Sequence, residues 1–410
     1  MANLGRGVAV VGAGYAGMAA AVALAERGVR ATVFESGPVP GGRARRIRIT
    51  SDGQGNELDN GQHILIGAYT EIYRLMHTVG VPKTALMRMP LEIRYTTRFH
   101  FRRLGLPNPL GLAGGLLLAR GIPLSERLGA AKFMAHLKET NFHLAADVSV
   151  TELLARHQQN GRIAHYMWLP LCVSALNTPP ELASANTFLA VLRDTLGGTG
   201  DASDLLLPRV DLSRLFPEPA AEYVRSHGGE IRLQSPVKDL GALRQSFDRV
   251  IVAVGPHQLK TVLPDAPEYS YQPIYTCYLQ YGEHVALPIP MIGLADGLVQ
   301  WVFDRGALLG EKGRLACVIS AQGDHQQLSL DELAERCHRE LAAAHLVSEQ
   351  PAWSRVIAEK RATITCSPGA KPIPVATDGI SFAGDYTDPE YPPTLEAAVR
   401  SGVRAARSIN

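Results

Sequence analysis

The sequence is poor in the features that mark several classes of protein. Cysteine is scarce: five in 410 residues (Cys172, Cys277, Cys317, Cys337, Cys366), with no C-x-x-C pair. An odd, unpatterned set fits reduced thiols in a cytoplasmic protein, and no metal site is expected from it. Long apolar runs are missing too; none approaches the roughly 18–20 residues that a membrane span needs. The first residues carry no charged head, long apolar stretch or cleavage site of a secretory signal. Charge of one sign is also missing. Lys and Arg total 41 against 39 Asp and Glu, for a net charge of +2, so no nucleic-acid surface is expected. No serine nucleophile elbow, Walker loop, internal repeat or low-complexity tract is visible. What remains is an ordinary globular composition, 46% hydrophobic, on a chain long enough for two or three lobes.

Against these absences one stretch stands out. Val8–Val11 is a short apolar run suited to a buried parallel strand. Gly12, Gly14 and Gly17 follow at G-x-G-x-x-G spacing, with Tyr15 and Ala16 between them as further expected cofactor contacts, and Met18 to Arg27 is helix-forming with Gly28 as its end cap. Ala31–Phe34 makes a second strand closed by Glu35. Gly12 allows the tight turn, Gly14 the approach of a pyrophosphate, and Gly17 close packing of helix on strand. The free N–H groups and dipole at the helix start hold phosphates. Glu35 accepts from both ribose hydroxyls and repels a 2′-phosphate, which disfavours NADP. The unit predicts a dinucleotide site.

A second glycine element follows. Pro38 and Pro40 make a loop, Gly41-Gly42 gives another close backbone approach, and Arg43 and Arg45 supply positive charge for a pyrophosphate. Simple NAD-binding folds need no such element. Together the two motifs resemble the FAD signature of the large flavoprotein class that contains amine oxidases and phytoene desaturases. The resemblance implies a mixed α/β (α+β) fold. A Rossmann-like FAD-binding domain would comprise 1–95, 205–265 and 370–410. A helical region, 96–204, and an antiparallel-sheet substrate domain, 266–369, would complete it. FAD is the cofactor implied.

Other residues take roles from that resemblance. Glu57–Tyr69 is similar to the segment lying under the flavin, where Gly61 and Gly67 keep backbone close to a flat ring. His63, a proton carrier near neutral pH, and Tyr69 are the expected acid or donor. Val237 matches a backbone contact to adenine. In the tail, Gly384-Asp385 follows a strand, with Asp385 expected on the ribitol. The helix opening at Thr394, Leu395 and Glu396 would face the pyrimidine oxygens and stabilise reduced flavin. Ala397 stands where the class often has glycine. Tyr275, Trp301 and Tyr391, with Tyr278 and Phe303, are expected along an apolar substrate pocket.

Region 104–200 reads as a helical insertion, apolar and broken by Gly and Pro near 104–123. It is either a lipid-facing lid or tunnel mouth, or a buried helical lobe. The segments LDNGQHILIGAY and AGDYTD…YPPTLEAAVRSG resemble most the squalene-associated branch of the class. That branch implies a long isoprenoid lipid substrate, hydroxysqualene, converted to squalene with reduced FAD in bacterial hopanoid precursor synthesis. It also implies a separate electron donor and peripheral contact with the inner face of the membrane. The alternatives are a carotenoid-type desaturase or amine oxidase of the same fold, or a prenyl-lipid carrier without redox chemistry. A covalent cysteine or a second aromatic partner for Tyr391, as amine oxidases commonly have, is not visible.

Overall fold

Val8–Val11 and Ala31–Phe34 are neighbouring parallel strands, in register from Val8 opposite Ala31 to Val11 opposite Phe34. The computed structural model describes residues 5–51, 54–96, 99–106, 109–198, 200–261, 263–264, 266–370, 376–377, 379–388 and 391–409. The sheet grown on these two strands has six members, in the order 230–232, 31–34, 8–11, 249–252, 380–382, 376–377. All its pairings are parallel except the last. Strands distant in sequence therefore meet beside the first glycine turn.

The helix Tyr15–Ala25 is buried along its whole length, which explains why its sequence is apolar on every side. It lies between the sheet and the helix Leu395–Arg407. Gly402 sets the spacing of the two helices, because a Cβ there would strike the carbonyl of Ala16.

A second sheet is wholly antiparallel, in the order 291–293, 301–304, 314–320, 271–280, 353–364. One face packs on the helix Leu330–Ala343 through Leu333, Cys337 and Leu341. Ser329 and Glu332 start that helix as a capping box, with Glu332 accepting from the Ser329 N–H at 2.8 Å. The other face carries Tyr278, Trp301 and Phe303 into a core shared with Phe101, Trp168 and Phe188 of the helical region.

That region holds helices at Leu110–Leu118, Leu124–Glu139, Val150–Arg156, Leu169–Leu176 and Ala185–Thr195. The second of these ends at Glu139, because Asn141 and Phe142 take left-handed backbone, at φ 51° and 54°. No described helix is long and apolar enough to cross a membrane. Residues 230–240 hold one strand, Glu230–Arg232. Pro236 has no N–H for a ladder, and Asp239 instead caps a helix at Leu240–Ser246. All five cysteines are free and buried.

Candidate cofactor and active site

The site begins with two glycine loops laid side by side. Gly12 has φ +105°, and a side chain there would strike the carbonyl of Ala253. Gly42 has φ +60°, and a Cβ on it would lie 3.1 Å from the Cα of Gly14. The Gly41 N–H donates to the Ala13 carbonyl at 2.8 Å, which fixes one loop to the other. Glycine is thus the residue that keeps this cradle open.

The helix Tyr15–Ala25 points its N-terminus at the cradle, and its first N–H groups have no intrahelical acceptor. Tyr15 itself turns away. Its hydroxyl donates to the Leu212 carbonyl at 2.9 Å and its ring packs on Phe216 at 5.4 Å. Tyr15 and Ala16 therefore offer backbone only.

Glu35, at the end of its strand, accepts from the Ala13 N–H at 2.8 Å and the Gly37 N–H at 2.7 Å. Val237 lines a cleft of about 580 Å³ with Phe34, Arg232 and Phe247, next along the chain from Glu35. This cleft is where the adenosine end of a bound dinucleotide would fit.

On the other side of the cradle, Arg43 pairs with Asp385 at 2.6 Å and donates to the Ala362 carbonyl at 2.6 Å. Arg45 donates to the Gly42 carbonyl. Asn60 takes the carbonyls of Arg43 and Arg45 at 3.0 and 2.8 Å, stitching the segment 59–63 to the arginine loop. The Gly384 N–H donates to Ser401 Oγ at 2.8 Å, which ties the Gly384-Asp385 turn to the C-terminal helix.

Thr394 caps that helix, accepting from the Ala397 N–H at 3.2 Å, so the alanine in place of glycine leaves the cap intact. The Glu396 side chain is engaged away from the helix opening. Its carboxylate is buried and accepts from the N–H groups of Thr70, Glu71 and Ile72, each at 3.0 Å. It caps the helix Glu71–Thr78, so Leu395 and Glu396 have only backbone N–H groups to offer a ligand.

His63 Nδ1 lies 3.0 Å from the Gly61 carbonyl, which makes Nδ1 the protonated nitrogen and Nε2 an acceptor. Burial lowers the basicity of the ring, and Arg43 adds to the effect. His63 is therefore a neutral acceptor near pH 7, which does not suit the acid role expected of it. Tyr69 suits a donor role better. Burial raises its phenol well above the ordinary tyrosine value, so it stays protonated. Tyr391 is buried in the same cluster, with the Arg400 guanidinium 5.2 Å from its ring centre.

The two expected pocket aromatics on the antiparallel sheet part company. Trp301 faces the helical region, stacks on Tyr95 at 5.8 Å and donates from Nε1 to Ser174 Oγ at 2.9 Å. Tyr275 faces the opposite way, onto the Leu330–Ala343 side, with His325 edge-on at 5.0 Å. Strand alternation puts it a full sheet thickness from Trp301, so its place in a shared pocket is corrected.

One group of site residues carried no sequence signal. Arg305, only 1% exposed, binds Asp59 at 3.1 Å and Glu311 at 2.6 and 3.0 Å. It also donates to Gln62 at 3.3 Å and lies 5.3 Å from the Tyr278 ring centre. The other oxygen of Asp59 accepts from the Leu212 N–H at 2.8 Å, and its carbonyl accepts from the Tyr278 hydroxyl at 2.9 Å. Burial pushes the Asp59 carboxyl upward in pKa, against the pull of Arg305. This network holds the 59–63 segment from below.

The residues fit FAD. The side-chain-free cradle, two helix N-termini and a cleft lined by Val237 are the parts such a dinucleotide needs. Comparison with known proteins agrees. A family model described as flavin containing amine oxidoreductase matches residues 15–410. Hydroxysqualene dehydroxylase of Rhodopseudomonas palustris is 29% identical over 433 residues, spanning 97% of each chain. The enzyme of the same name from Sinorhizobium fredii is 26% identical over 428 residues, spanning 98% of this chain and 97% of its own. A solved oxidoreductase from Methanosarcina mazei shares the fold with a TM-score of 0.70 at 13% identity, over 98% of this chain and 99% of that one.

Proposed function

Because the chain belongs to the flavin containing amine oxidoreductase family and is an FAD-dependent oxidoreductase, we propose that it acts on a long isoprenoid alcohol. The substrate proposed is hydroxysqualene, reduced to squalene with loss of water, in the formation of hopanoid precursors. The observation that carries this reading is the near full-length match to two proteins named for that reaction.

Gly12, Gly14, Gly17, Glu35, Gly42, Arg43, Val237, Gly384 and Asp385 would hold FAD, with the helix opening at Thr394 facing its ring. When bound and reduced, FAD supplies the hydride that replaces the hydroxyl. The protein's own task is to hold the alcohol, keep bulk water out and provide one proton for the departing water. The aromatic core around Trp301, Phe303 and Tyr95 supports the first two. Tyr69, kept protonated by its burial, is the donor in this reading, and His63 Nε2 accepts a hydrogen bond from the alcohol. Each turnover consumes two electrons, so a separate reductant must restore the cofactor.

We also infer that the protein meets a bilayer peripherally. Leu110, Leu117 and Leu118 are 64%, 46% and 69% exposed, and Leu124 and Leu128 continue the patch at 59% and 47%. Arg102, Arg120 and Lys132 are exposed around it, a fringe that suits anionic headgroups.

The test is anaerobic. Protein reduced in the absence of oxygen is mixed with hydroxysqualene, and the lipid products are analysed. One squalene per flavin oxidised is the expected result. No squalene, or desaturation of a polyene by the oxidised protein, overturns the reading. A Tyr69→Phe variant that turns over at the wild-type rate removes Tyr69 from the proton donor's place.

A further inference from the structure

The strand Tyr271–Gln280 turns Thr276 and Tyr278 toward the 59–63 segment. Tyr278 is occupied there, its hydroxyl holding the Asp59 carbonyl at 2.9 Å. Two residues back along the strand, Thr276 meets Gly61, two residues on from Asp59. A methyl group on Gly61 would lie 3.9 Å from Thr276 Oγ1 and 3.8 Å from His63 Cε1. The threonine and the histidine thus border one opening, which glycine leaves clear.

Thr276 is fully buried, and its hydroxyl has no hydrogen-bond partner among the described residues. Its cross-strand neighbours are Val318 and Ile357, whose side chains are apolar. Burying a hydroxyl unpaired is unfavourable. Valine has the same shape, suits a strand as well, and carries no such penalty. Shape alone therefore does not account for a threonine at this position; a partner supplied by a ligand does.

The line of the cofactor site indicates which ligand. The adenosine end is fixed at Glu35 and Val237, and the pyrophosphate cradle at Gly12, Gly14 and Gly42. Arg43 and Asp385 come next, and Asn60 joins them to Gly61. The end of an extended FAD opposite its adenosine must lie beyond Arg43, on the Gly61 side. Of the two polar side chains that border the Gly61 opening, His63 presents Nε2 as an acceptor and Thr276 presents a hydroxyl left to donate.

We propose that the Thr276 hydroxyl is a hydrogen-bond donor to the ring of bound FAD. A donor at the ring favours its electron-rich reduced form, so Thr276 raises the reduction potential as well as the affinity. This rests on FAD binding and not on the identity of the substrate, so a negative result with hydroxysqualene leaves it standing.

The test compares Thr276→Val and Thr276→Ser in the full chain, with FAD titration, the visible spectrum and the midpoint potential as readouts. Loss of one neutral hydrogen bond predicts FAD binding about 3–10-fold weaker in Thr276→Val. A shifted flavin band and a lower potential should accompany it, with Thr276→Ser close to wild type. Thermal denaturation with and without FAD separates contact from packing. The valine variant should match or exceed wild type when free of FAD, since an unpaired buried hydroxyl is gone, and gain less on adding it. Unchanged affinity, spectrum and potential overturn the proposal. So does an equal loss of stability with and without FAD.

Discussion

Arg305 shows how much of the site depends on one buried charge. Removing it leaves Asp59 without its cation in the interior and Glu311 with Arg314 alone. Arg305→Met should therefore destabilise the protein by about 3–5 kcal/mol. An unfolding free energy from urea titration lowered by less than a third of that would mean the network contributes little. The residue was not legible in the sequence, because its carboxylate partner at Asp59 lies 246 positions away. His63 was legible as a residue but not in its chemistry. Only the fold shows that the Gly61 carbonyl takes Nδ1–H and that burial keeps the ring neutral. His325 is held neutral for the same reason, with burial the first cause, and its Nε2 has no partner among the described residues. Both folded pKa values lie below the ordinary histidine value of about 6.5. On acidification the unfolded chain takes up these protons first. Stability is thus full above about pH 6.5 and falls as pH drops toward the folded values. In His325→Gln the acid-side slope should be shallower by up to about 1.4 kcal/mol per pH unit. Urea midpoints at neutral and mildly acidic pH measure it, and an unaltered slope rejects the assignment.

At the scale of elements, the glycine turns, the first two strands and the C-terminal helix were readable because each has a local signal. Strand Val8–Val11 is an unbroken apolar run, and Thr394 caps helix Leu395–Arg407 as a threonine before a helix should. The facing of strand Tyr271–Gln280 was not readable. It is buried on both sides, so polar and apolar residues do not alternate and Tyr275 could not be told from Tyr278 by pattern. Leu205–Pro208 was missed for a like reason: it is a short, wholly buried strand flanked by loops. The contact between helices Tyr15–Ala25 and Leu395–Arg407 gives a prediction of its own. Gly402→Val would press a side chain on the Ala16 carbonyl and push aside the helix end that faces the phosphates. Overpacking of this kind costs about 1–3 kcal/mol. FAD retained through gel filtration should fall together with the melting temperature. Full FAD occupancy at wild-type stability would show that the helices give way without harm.

For the whole molecule, the open question from the sequence was whether the greasy stretch near 104–123 is a lid or a buried lobe. It is divided. Gly111, Gly115 and Leu116 are buried, while Leu117 and Leu118 are exposed. Residue patterning could not show this, since Gly and Leu fill both faces of the helix. Leu117→Asp/Leu118→Asp should therefore abolish flotation with anionic liposomes and leave FAD binding intact. Flotation equal to wild type counts against bilayer contact. The Asp59 node bears on how the molecule comes into being. Asp59 is held by Leu212, Tyr278 and Arg305, each well over a hundred positions later. As a chain grows, its first hundred residues can form the glycine turn early but cannot yet seat the segment beside it. Secure capture of the cofactor then waits until residue 305 has emerged. A nascent chain stalled before that point should carry the motif and lose the flavin, and splitting the gene between residues 59 and 212 would leave neither fragment yellow.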